Sequence, residues 1–134
     1  MGASTTRTVL IVDDDRTLRN ALASVLGTMG YAVLTAGDPD AAHDLLKAGP
    51  VDAVLLDVRL PTMSGLALYL TIVHRWPALE GRIAMMSGDA DAADVRAWLE
   101  VRRCPVFRKP FRVEVLATWL EGVFRQRDRK TKAG

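Results

Sequence analysis

The chain of 134 residues has few of the residues that cross-link a fold or ligate soft metals: one cysteine, Cys104, and two histidines, His43 and His74. A single cysteine excludes an internal disulfide, and one thiol with two distant imidazoles excludes a zinc site of the usual spacing. A reducing, cytoplasmic setting fits this composition. No apolar run approaches the ~18 residues of a membrane span. The opening "MGASTTR" lacks the basic-then-apolar pattern of a secretion signal. A phosphate-binding P-loop is absent as well. So is a basic face, despite a pI of about 9.0. The last ten residues, "RQRDRKTKAG", hold five of the 18 Lys and Arg and one of the 16 Asp and Glu, which leaves 13 against 15 over residues 1–124, a net charge of −2. The basicity is that of a tail, read as a solvated, frayed end, and nucleic acid is not the expected partner.

What remains is an ordinary globular composition, 49% hydrophobic and 25% charged, enough for one domain with a core. Strand-like and helix-like patterns alternate. The strands are 8–13 "TVLIVD", 31–36 "YAVLTA", 52–57 "DAVLLD", 82–87 "RIAMMS" and 105–109 "PVFRK". Between and after them lie helical stretches at 16–30, 37–49, 64–76, 89–101 and 111–127. The first carries Leu18, Leu22, Val25 and Leu26 at helical spacing. The second has Asp38 as N-cap and Pro39 at the first helical position. Nearly continuous apolar strands alternating with helices predict an α/β, doubly wound, five-stranded parallel sheet with five helices.

In such sheets the chemistry lies at the carboxyl ends of the strands. There the sequence places Asp13, Asp14 and Asp15 (first strand), Asp57 (third), Ser87 (fourth) and Lys109 (fifth). Carboxylates crowded together resist ionisation, so the cluster of Asp13, Asp14 and Asp57 implies a cation. Oxygen ligands without His or Cys favour a hard ion, Mg²⁺ first, with Mn²⁺ as a substitute. Mg²⁺, an ammonium and a hydroxyl are equipment for phosphoryl transfer, and a carboxylate is an accepted nucleophile in it.

Four motifs in order, "VLIVDDD", "LLDVRLPTMSG", "MMSG" and "FRKPF", resemble the receiver (response-regulator) domains of two-component signalling. The resemblance covers about residues 7–125, between an N-terminal tail (1–6) and a basic C-terminal tail (126–134). It implies a flavodoxin-like fold of strand order 2-1-3-4-5. It also implies Asp57 as phosphoacceptor, Mg²⁺ on Asp13, Asp14, Asp57 and the backbone carbonyl of Arg59, and Ser87 and Lys109 on the phosphoryl group. Asp14 and Asp15 are the other register for the acidic pair, and the capping role open to Asp15 favours Asp13 and Asp14. Lys109-Pro110 resembles the family's cis peptide. The implied partner is a sensor histidine kinase or a histidine phosphotransfer protein. With no residues left for a DNA-binding output domain, the chain is expected to act by protein contact or to relay the phosphoryl group.

The sequence departs from the family at Val106, where Tyr or Phe is common; the neighbouring Phe107 faces the other way by period-two alternation. Trp98 and Trp119 fall just off the apolar stripes of the last two helices. With Val106 they outline a candidate partner face, through which a homodimer built on the fourth helix, fifth strand and fifth helix is an option. Arg59 and Asp89, two residues beyond Asp57 and Ser87, are read as a gate over the pocket. Two rival functions are a receiver-shaped binding module that needs no phosphorylation, supported by Val106, and a haloacid-dehalogenase-type phosphatase. The latter would use "VDDDRT" with Asp13 as nucleophile and Asp15 as acid/base, and would leave Asp57 idle.

Overall fold

The computed structural model describes residues 6–88, 93–102 and 104–133. In chain order they form β1 (Thr8–Val12), α1 (Arg16–Thr28), β2 (Ala32–Ala36), α2 (Pro39–Ala48), β3 (Ala53–Asp57), α3 (Gly65–Arg75), a 3-10 turn at Pro77–Leu79, β4 (Ile83–Ser87), α4 (Ala93–Val101), β5 (Val106–Arg108) and α5 (Val113–Ala133). The five strands pair in parallel in the order β2-β1-β3-β4-β5, as the resemblance implied.

Period-two alternation splits the strand side chains into two layers. Leu10, Val12, Val54, Leu56, Ile83 and Met85 face one way, against Leu46 of α2, Leu68, Tyr69 and Ile72 of α3 and Val95 of α4. Val9, Ile11, Leu55, Ala84 and Met86 face the other way, against Leu22 and Leu26 of α1 and Leu116, Leu120 and Phe124 of α5. The strands are therefore apolar on both faces, which is why they read as unbroken hydrophobic runs.

Side-chain caps set the helix starts and so the loop lengths at the strand ends. Asp15 Oδ1 accepts from Leu18 N (3.1 Å), Asp38 Oδ1 from Ala41 N (2.8 Å) and Ser64 Oγ from Ala67 N (3.1 Å). Gly30, at φ 96°, turns the chain from α1 to β2 in a conformation that costs glycine little. The largest difference from the expected boundaries is at the end of the chain: the helix backbone of α5 runs on to Ala133, past the expected stretch 111–127. Arg, Gln, Lys and Ala are good helix formers, and no proline or glycine interrupts the segment before Gly134.

Candidate functional site

β1, β3 and β4 end side by side, and their last residues form the site. Asp57 is the final residue of β3 and pairs in register with Met86, next to Ser87 at the end of β4. Asp13 follows β1, and its N–H still donates to the Ala36 carbonyl (3.1 Å), the last rung of the β1–β2 ladder. Asp13, Asp57 and Ser87 are the buried polar residues among those described. Lys109 comes just after β5, and its N–H donates to the Ser87 carbonyl (2.8 Å). The Lys109–Pro110 peptide is cis.

From there the ammonium of Lys109 donates to Asp13 Oδ2 at 2.8 Å and to Asp57 Oδ2 at 2.9 Å. The other oxygens are held by main chain. Asp13 Oδ1 accepts from Asp15 N (2.8 Å), and Asp57 Oδ1 accepts from Arg59 N (2.9 Å). Burial raises the pKa of Asp57; the Arg59 N–H and the Lys109 ammonium pull it down, the charge on Asp13 pushes it up, and the net direction is up. For Lys109, burial acts downward, but its two carboxylate partners outweigh it and the net direction is up. One cation between two carboxylates leaves the pocket short of positive charge.

Asp13, Asp14 and Asp57 each offer an oxygen, and these atoms lie within 4.8 Å of one another. An oxygen-only donor set of this charge fits Mg²⁺. Asp14 joins the cluster, while Asp15 Oδ1 caps α1. In the phosphatase reading this same Asp15 would be the acid/base; here one of its oxygens is taken by the helix cap.

The loop from β3 to α3 packs tightly under Asp57. Gly65 N donates to the Val58 carbonyl (2.7 Å), and Arg59 bridges to Ser64. A Cβ on Gly65 would overlap the Asp57 carbonyl oxygen and lie 2.8 Å from its carbonyl carbon and 2.9 Å from Val58 Cα. Arg59 is exposed; its expected gate partner, Asp89, lies outside the described residues.

Trp98 and Trp119 belong to different layers. Trp98 packs edge-on to Tyr69 of α3, with ring centroids 5.0 Å apart, on the layer that holds Val106. Trp119 packs on Phe107 at 6.2 Å, in the opposite layer. Both indoles are half-buried, so they flank the β5 edge instead of forming one exposed aromatic patch. Val106 and Phe107 do face opposite ways, as alternation predicted. Sequence reasoning passed over Arg19, whose Nη1 donates to the Asp13 carbonyl at 2.8 Å; an arginine on an amphipathic helix reads as ordinary solvent charge.

A family model described as "Response regulator receiver domain" matches residues 9–121. The sensor histidine kinase RcsC of Salmonella typhimurium is 34% identical over 125 residues, covering 93% of this chain and 13% of the kinase. The transcriptional regulatory protein AruR of Pseudomonas aeruginosa is 34% identical over 123 residues, covering 88% of this chain and 49% of the regulator. The chain thus spans half or less of the length of these two relatives. Among solved structures, a CheY-like receiver domain protein from Methanospirillum hungatei superposes with a TM-score of 0.80 at 23% identity, covering 97% of this chain and all of that one. The response regulator TrrA from Thermotoga maritima, solved with Mg(2+)-BeF, gives 0.75 at 22% identity over 88% of this chain and 99% of its own. With the sheet order, the strand-end carboxylates and the family match in agreement, the chain belongs to the response regulator receiver domain family.

Proposed function

We propose that Asp57 is the phosphoacceptor of a two-component phosphorelay. The observation that carries this reading is the buried Asp57 carboxylate at a strand end, which shares the Lys109 ammonium with a second buried acid, Asp13. A carboxylate oxygen of Asp57 attacks the phosphorus of a phosphohistidine on a sensor kinase or histidine phosphotransfer protein. The P–N bond breaks, and the imidazole leaves with the electron pair and regains a proton. Hydrolysis later returns the carboxylate, as water attacks phosphorus and the P–O bond to Asp57 breaks. Asp13, Asp14, Asp57 and the Arg59 carbonyl would hold Mg²⁺, or Mn²⁺ in its place, which supplies charge neutralisation for the incoming phosphoryl oxygens.

The chain's own residues supply the rest. The Arg59 N–H and Lys109 fix the carboxylate in place. Phosphorylation adds about −1.5 to −2 charge. Lys109 then exchanges a carboxylate partner for phosphoryl oxygen, and Ser87 accommodates another. The change of load on β4 and β5 is read out on the α4-β5-α5 face, flanked by Trp98 and Trp119, where a protein partner or a second copy docks. Arg59 stands at the mouth and slows the approach of water. On this reading the protein works in the cytoplasm, without a membrane or nucleic-acid partner and without turnover of its own.

The rival, a binding module that needs no phosphorylation, has Val106 in its favour. Phosphotransfer profiling decides between them. Candidate histidine kinases are charged with labelled ATP and mixed with the wild type and with Asp57→Asn. Rapid label transfer from one kinase to the wild type alone supports the phosphoacceptor; no transfer from any kinase supports the rival.

A further inference from the structure

Asp13 is fully buried, and all its polar atoms are engaged. Its N–H, Oδ1 and Oδ2 are taken by Ala36, Asp15 and Lys109 as described above. Its carbonyl is taken by Arg19 Nη1 at 2.8 Å. This last bond has a topological cause. The β1–β2 ladder ends at Ala36, the last residue of β2, because the chain turns at Gly37 and Asp38 into α2. In a parallel pair, the next rung would bring a main-chain donor from β2 to the Asp13 carbonyl. The guanidinium, reaching up from the first turn of α1, supplies a donor there.

Gly37 makes room for it. A Cβ at this position would lie 3.0 Å from Arg19 Nη1, 3.5 Å from Cζ and 3.8 Å from Nη2, so the guanidinium covers the bare face of the glycine. The backbone does not call for glycine here: the positive-φ glycines are Gly30 and Gly81. The requirement is space. Gly37, on the β2–α2 turn, thus leaves room for an α1 side chain that reaches the main chain of one metal-site acid.

We infer that Arg19 is a positioning residue for the Asp13 carboxylate, that Mg²⁺ affinity depends on its hydrogen bond to the Asp13 carbonyl, and that Gly37 keeps its slot open. The inference rests on the reading of Asp13, Asp14 and Asp57 as the Mg²⁺ ligands. A carbonyl held from the strand side sets the rotation of the Asp13 peptide and so the direction in which the carboxylate leaves it. Groups that hold a ligand in this way typically change metal affinity by about 10–100-fold when removed. Lysine keeps the charge but loses the planar fork.

The test is calorimetric titration of the full chain with Mg²⁺, alongside thermal unfolding without metal, for the wild type, Arg19→Met, Arg19→Lys, Gly37→Ala and Arg19→Met/Gly37→Ala. The expected result is about tenfold weaker Mg²⁺ binding in Arg19→Met and a smaller loss in Arg19→Lys. Gly37→Ala should lose about two- to threefold, because a flexible side chain can give way by a few tenths of an ångström. The double variant should be no weaker than Arg19→Met, since the two substitutions act on one contact. Affinities within twofold of wild type in all variants, with only the melting temperature lowered, would reduce Arg19 to a structural contact and overturn the inference. So would equal, independent losses from the two substitutions. If Arg19→Met does not fold, Gly37→Ala and Arg19→Lys still decide, because unchanged affinity in both overturns it. Failure of the wild type to bind Mg²⁺ would instead remove the metal-site reading beneath it, an outcome visible in the first titration.

Discussion

Substituting Gly65 by alanine separates the placement of Asp57 from the stability of the fold. The added methyl would overlap the Asp57 carbonyl oxygen and press on two further main-chain atoms at 2.8 and 2.9 Å. All three are backbone, so no side chain can swing aside. Either the end of β3 or the start of α3 must move by about an ångström, since ordinary carbon contacts lie near 3.5–4 Å. Overpacking of this kind costs about 1–3 kcal/mol. At this chain length that corresponds to a fall in melting temperature of roughly 3–15 °C. A domain stable by about 5–15 kcal/mol survives it. The chemistry should suffer more, because a misplacement of about 1 Å can cost 10²-fold in rate. Thermal unfolding by circular dichroism and the rate of phosphorylation by acetyl phosphate are measured side by side. Gly27→Ala is the control: nothing lies within 4 Å of the added methyl, and alanine in a helix gains about 0.5–1 kcal/mol. A Gly65→Ala protein with wild-type rate and melting temperature would refute the packing argument. A loss of stability with an unchanged rate would show that the glycine does not place the acid.

Three further outcomes follow from the charges. Lys109→Ala should bind Mg²⁺ at least as tightly as wild type, because it removes a cation that occupies Asp13 and Asp57 oxygens, yet should fail to signal when phosphorylated; a collapse in metal affinity would refute this. The pKa of Asp57 is raised in the folded state, so its contribution to stability is present below the ordinary carboxylate range and lost as pH rises through its folded pKa. In EDTA, Asp57→Asn should therefore be more stable than wild type to urea at pH 7, with the gap narrowing in acid, and equal stability at pH 7 would contradict the shift. Cys104 donates to the Ile83 carbonyl at 2.9 Å, and burial pushes its thiol up to about 12, so iodoacetamide should label it in native buffer far more slowly than in urea; equal rates would place it on the surface.

Much of this site was legible before the fold was known. Apolar runs that end in Asp13, Asp57, Ser87 and Lys109 show where the strands stop, and a parallel sheet brings such ends together. The strand order was not legible from pattern, because crossovers of similar length can join these strands in several sequences; it came from the four motifs. Lys109 and Asp13 are 96 positions apart, and only that order makes them neighbours. Three consecutive aspartates left two metal registers open; in the fold Asp13 and Asp14 lie with Asp57, while Asp15 caps α1. Helical periodicity saw that Trp98 and Trp119 lie off their stripes, but it could not see Tyr69 and Phe107, which come from other elements to meet them. Arg19 was invisible for the same reason: its partner is a main-chain carbonyl, which carries no mark in the sequence.

The central claim is that one carboxylate, Asp57, takes the phosphoryl group and needs a hard divalent cation to do so. Intact-mass spectrometry after incubation with acetyl phosphate tests it most directly. The wild type in Mg²⁺ should gain a single phosphoryl group, and neither the wild type in EDTA nor Asp57→Asn in Mg²⁺ should gain any. Equal phosphorylation of wild type and Asp57→Asn, or uptake that ignores Mg²⁺, would contradict it.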